Sequence, residues 1–86
     1  MKSNKNMIKD VTEMINIWFA SKCKNDFIMK NEDFDGFVSI HKLIKCSSLN
    51  KYSERICLAC FKTIIASNLH FLEFSLDRNR VRKLIN

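Results

Sequence analysis

Between Met7 and Phe19 the apolar side chains stand at Met7, Ile8, Val11, Met14, Ile15, Trp18 and Phe19. Steps of three and four predict a helix with one buried face. "SKCKND" breaks this pattern, and "DFIMKN" predicts a short second helix anchored by Phe27 and Ile28. The acidic run Glu32, Asp33, Asp35 then leads to Gly36, the only glycine, which suits a backbone position with positive φ. Phe37-Val38 reads as a short strand, Ser39 as an N-cap whose hydroxyl accepts from an early helical amide, and Ile40, Leu43 and Ile44 as the apolar side of a third helix. "CSSLNKY" reads as a connector. Ser53 is a second candidate N-cap, with Glu54 favourably placed near the positive helix end. From Glu54 to Ser67 the residues Ile56, Leu58, Cys60, Phe61, Ile64 and Ile65 make most sides apolar, which predicts a central, buried helix with only Arg55 and Lys62 turned outward.

The last segment changes period. Apolar and polar residues alternate through Leu72-Glu73-Phe74-Ser75, a turn-prone Asp77-Arg78-Asn79 follows, and Arg80-Val81-Arg82-Lys83 alternates again. This predicts an antiparallel hairpin over about 70–75 and 80–84. The resulting order is helix, helix, strand, helix, helix, strand, strand. It predicts an α+β winged helix, with helices packed on a small antiparallel sheet and a C-terminal hairpin as the wing, in a single domain spanning 1–86.

Composition agrees with a folded chain: 47% of the 86 residues are hydrophobic, 28% are charged, and there is no proline. Charge adds a direction. Residues 1–35 carry six Lys against six acids, whereas residues 36–86 carry nine Lys or Arg against three acids, so the whole net charge of +6 lies in the second half. Such a surface favours phosphate backbones through counterion release, or it is a solvated basic face. On the hairpin, Arg78, Arg80, Arg82 and Lys83 are either gatekeepers of an exposed strand edge or, with Lys42, Lys45 and Lys51, a strip that tracks phosphates.

The polar start "MKSNKN" lacks an apolar leader, and no apolar run approaches the roughly 18 residues that span a membrane, so the expectation is an intracellular protein of nucleus or cytoplasm without a membrane partner. Cys23, Cys46, Cys57 and Cys60 are then expected as reduced thiols. "CLAC" has Cys-x-x-Cys spacing, but it falls inside an apolar helix and lacks a second ligand pair, since His41 and His70 stand alone. Neither a phosphate-cradling glycine loop nor a nucleophile with a base is present, so no cofactor, no metal and no enzyme activity are expected.

Three segments, in order, resemble the La motif, the winged-helix RNA-binding domain of La and La-related proteins. "MINIWFASKCKNDFIMK" is similar to the family's Gln-x-x-Tyr-Tyr-Phe helix, loop and Asp-Lys-Phe-Leu turn. "DGFVSIHKLIKCSSLNKY" is similar to its Gly-Trp-Val-Pro, helix and Phe-Asn-Arg-Leu segment, and "FLEFSLDRNRVRK" to its wing. Together they cover about residues 8–84. The resemblance implies a cleft near helix one in which rings stack on the last uridines of an RNA 3′ end and an acid holds the terminal ribose hydroxyls.

Aligned on Phe19, the family's Gln corresponds to Met14, the first Tyr to Ile17 and the second to Trp18. The ribose-binding Asp corresponds to Asn25, with Asp26 as a one-residue alternative; the next Phe is kept as Phe27, and a later stacking Phe is Cys46. Trp18 and Phe27 alone keep stacking capacity, so the implied pocket is eroded, and from the residues themselves Trp18 and Phe27 read most simply as core. The RNA-recognition-motif domain that usually follows in the family is not expected within this polypeptide. The expectation is an RNA-binding component of a ribonucleoprotein, with Arg80, Arg82 and Lys83 on phosphates. The alternatives are a protein-interaction module docked on such a particle, for example among ribosomal proteins, or a DNA-binding winged helix.

Overall fold

A computed structural model describes residues 3–20 and 25–84. The predicted break at "SKCKND" and the Cys23 thiol lie mostly or wholly in 21–24, outside the described residues. The elements are α1 (Ser3–Phe19), α2 (Asp26–Asn31), β1 (Val38–Ser39), α3 (Ile40–Lys45), a 3-10 turn at Ser48–Lys51, α4 (Glu54–Ala66), β2 (Leu72–Phe74) and β3 (Arg80–Lys83).

Each local signal has a visible cause. The buried residues Met7, Val11, Ile15 and Trp18 recur every three or four positions along α1 and share one core with Phe61 and Ile65 of α4. Asn25 caps α2 by accepting from the amides of Phe27 (2.8 Å) and Ile28 (3.3 Å). Ser39 caps α3 through the Lys42 amide at 3.3 Å. Gly36 has φ of 87°, the conformation that closes the acidic turn. Ser53 accepts no capping bond; Glu54 is instead held by His41, whose Nδ1 lies 2.6 Å from Oε2.

Among the described residues four α-helices pack on a three-stranded antiparallel sheet, and the β2–β3 hairpin forms the wing: this is an α+β winged helix. Three expectations change. The connector "CSSLNKY" contains the 3-10 turn, which buries Leu49 completely. The helix α4 is not buried on most sides: Cys57, Phe61 and Ile65 face the core, while Ile56 is 53% exposed. The strand order is β1-β3-β2, so β3 is the middle strand and not an edge. Its register sets Ser39 opposite Arg80, Val81 between Val38 and Phe74, and Glu73 opposite Arg82. β3 pairs with β1 only through Arg80 and Val81 and with β2 through Val81, Arg82 and Lys83, so a gatekeeper role is confined to the side of Arg82 and Lys83 that β1 does not reach.

No helix among the described residues is long and apolar enough to cross a membrane.

Candidate nucleic-acid interface

The hairpin alternates as its sequence predicts, with Val81 fully buried and Arg80 and Arg82 on the opposite face. Yet neither arginine projects freely. Arg80 donates to Asp33 at 2.6 Å, and Arg82 donates to Glu73 at 2.7 Å and to the Asp35 carbonyl at 2.6 Å. Both guanidinium groups also lie over the Phe37 ring, Arg82 at 4.3 Å and Arg80 at 5.6 Å from its centroid. Burial pushes the Asp33 carboxyl up, but the amides of Phe37 and Asp35 and the Arg80 guanidinium outweigh it and hold the group below its ordinary value. The two arginines thus fasten the acidic turn to the sheet, and a phosphate would have to compete with these carboxylates for them. Sequence alternation places them outward correctly; it has no means of pairing residues 47 positions apart.

Lys62 of α4 and Arg78 of the wing meet at Asn79, which also joins the wing to the start of α3. The Asn79 carbonyl accepts from the Ile40 amide at 2.9 Å, at the start of α3. Its side-chain oxygen accepts from Lys62 of α4 at 3.3 Å. Lys42 follows Ile40 by two residues and is exposed, as is Lys45 three residues further on. Arg78 precedes Asn79, is exposed, lies 5.6 Å over the Phe74 ring, and holds a φ of 61°, a conformation a non-glycine residue adopts against steric preference. The neighbouring acid, Asp77, is turned back into the wing: it accepts from the Ser75 hydroxyl at 2.6 Å and the Asn79 amide at 3.0 Å, and these bonds, the hydroxyl's first, hold its carboxyl below the ordinary range. Lys83 is exposed at the far end of β3. Lys62 is the residue that the sequence pattern misses, since its place beside the wing depends on how α4 docks.

The positions aligned with an RNA-end pocket are differently placed. Trp18 is only 5% exposed, and its ring packs nearly parallel to those of Phe27 (5.6 Å between centroids) and Phe61 (6.2 Å). The structure places it in the core, with its stacking surface used by neighbours. Phe27 is half-buried against the same core. The Asn25 oxygen is engaged in capping α2, and Asp26 is exposed in the first turn of that helix. Ile17 is 57% exposed and Cys46 is exposed, so an aliphatic group and a thiol stand at the surface at these two positions.

Elsewhere, the Tyr52 hydroxyl donates to Asp10, which also pairs with Lys51 at 3.5 Å. The hydrogen bond is the main reason the Tyr52 phenol is pushed up to about 12 and the Asp10 carboxyl is held down. Lys51 is therefore partly neutralised. Cys46, Cys57 and Cys60 are free thiols, and burial pushes Cys57 up to about 11. No group of three or more His, Cys, Asp or Glu among the described residues is arranged to hold a metal ion.

Compared with known proteins, the chain matches no family model, no curated protein and no solved structure.

Proposed function

We propose that the chain is an RNA-binding winged helix of diverged La type, acting as a component of a ribonucleoprotein and holding RNA through its sugar-phosphate backbone. The observation that carries this reading is the meeting of Lys62 and Arg78 at Asn79, whose carbonyl also ties the wing to the start of α3, the helix that bears the exposed Lys42 and Lys45. The helix α4 and the wing deliver positive charge to one place there, while the neighbouring Asp77 carboxylate is occupied by the Ser75 hydroxyl and the Asn79 amide. Strain at an exposed cation supports it further, because Gly or Asn would occupy the Arg78 conformation more easily. End recognition has little support: the Trp18 ring is covered and the Asn25 oxygen is engaged. Reading of DNA bases by α4 has less, because its outward positions Ile56 and Ala59 are apolar and Lys62 is engaged by Asn79 of the wing.

Fluorescence anisotropy tests this, using one short uridine-ended RNA with a free 3′ hydroxyl, the same RNA with a 3′ phosphate, and a single-stranded DNA of the same sequence, each at two salt concentrations. Both RNAs should bind equally and weaken with salt. Lys42→Glu and Arg78→Glu should each weaken binding for all sequences and make the slope of log affinity against log salt shallower by about 0.7 for each phosphate no longer neutralised. Unchanged affinity in both variants overturns the reading, a clear preference for the free hydroxyl restores end recognition, and a preference for DNA reassigns the nucleic acid.

A further inference from the structure

The helix α4 carries two apolar stripes. One, Cys57, Phe61 and Ile65, is spent on the core. The other, exposed at Ile56 and Ala59 and half-buried at Cys60 and Ile64, forms one wall of a groove whose opposite wall is Met7 and Ile8 of α1. The groove is an open cleft of about 380 Å³. At its mouth Ile8 and Ile56 are each 53% exposed.

The geometry suits a helical occupant. The second stripe repeats at i, i+3, i+4 and i+8, the spacing by which one helix meets another, and the small residues Ala59 and Thr63 allow close approach of a backbone. Cys60 contributes a neutral, compact side chain, since burial pushes its thiol up. Charge then selects the occupant. Arg55 is exposed, one turn before the lining residue Ala59 and next in sequence to the lining residue Ile56. Two copies of a chain that each carry +6 repel one another, whereas a segment bearing carboxylates is drawn to both the net charge and Arg55.

We infer that the groove between α1 and α4 seats an amphipathic helix of another protein, with its apolar stripe on Ile8, Ile56 and Ile64 and an acidic flank beside Arg55. This site is independent of the RNA-backbone reading, because none of its walls includes Lys42, Lys62 or Arg78.

The test uses the full chain, isotopically labelled, titrated with a synthetic helical peptide that has Leu at i, i+3, i+4 and i+7 and Glu on the flanking positions. Two controls share its length: one with the same composition in scrambled order, and one with Lys in place of Glu. Resonance shifts should concentrate at Ile8, Ile56 and Ile64 for the Glu peptide only. Ile56→Glu, a change at a half-exposed position that the fold tolerates, should weaken binding by at least about thirtyfold, as for a central contact of an interface. Arg55→Glu should weaken it about threefold to fivefold, the range of one exposed ion pair, and should abolish the preference for Glu over Lys. Ile56→Glu should leave RNA affinity within about a factor of two of the parent chain's, which shows that the variant is folded and that the two sites are separate. Equal shifts from the scrambled or Lys peptide, shifts outside the groove, or no shifts at all overturn the inference. Concentration-dependent dimerisation abolished by Ile56→Glu would overturn it too, by giving the groove to a second copy.

Discussion

At the scale of single residues, Trp18 separates the two readings of the aromatic pair that periodicity alone leaves open. It is the only tryptophan, so its fluorescence reports one place. With the ring 5% exposed beside Phe27 and Phe61, its emission should resist soluble quenchers in the native state and stay unchanged when RNA saturates the chain. Quenching on RNA addition would mean that a base reaches the ring and the pocket opens. What was legible here followed from local chemistry: Gly36 at positive φ, Ser39 as a cap, Val81 inward. Ser53 shows the limit, because it makes no capping bond while Glu54 turns to His41, a pairing set by the packing of α3 on α4.

At the scale of elements, the wing is held by charge on its outer face and by Val81 on its inner one. Truncating Arg82 to Ala removes the Glu73 pair, the bond to the Asp35 carbonyl and the contact with Phe37. After allowance for solvent screening, this should lower stability by about 1 kcal/mol, read as an earlier urea midpoint with an unchanged slope. Lys83→Ala should shift that midpoint less. RNA affinity should fall less in Arg82→Ala than in Lys42→Glu, since the guanidinium serves the turn at Asp33 to Gly36; the reverse order would return Arg82 to the phosphate-binding set. All the strands and helices were legible from periodicity to within a few residues, apart from the 3-10 turn. Which strand lies in the middle was not, because pairing β1 with β3 joins segments some forty residues apart and leaves no trace in local alternation.

At the scale of the whole molecule, carboxylates tie distant segments together: Asp33 binds Arg80, Glu54 binds His41, and Asp10 binds Tyr52. The His41 hydrogen bond is the leading reason the Glu54 carboxyl is lowered, as the Tyr52 bond is for Asp10. Each group binds its proton less readily when folded than when unfolded. Their stabilisation is therefore present above the ordinary values of 3.8 for Asp and 4.5 for Glu, and is lost as pH falls through the lower folded-state values. Urea midpoints should hold steady from neutrality down to about pH 5 and then drop, and Asp33→Asn should reduce the acid drop. A midpoint that rises on acidification would contradict this assignment.

The middle position of β3 also bears on how the protein is made. A ribosome delivers β1 first, then α3 and α4, then β2, and none of these can form the sheet until the strand that joins them emerges. Asn79, the residue that Lys62 joins, arrives just ahead of that strand. A half-synthesised chain therefore has neither the sheet nor Lys62 joined to the wing, and the order of its cations is set only at the moment the fold closes.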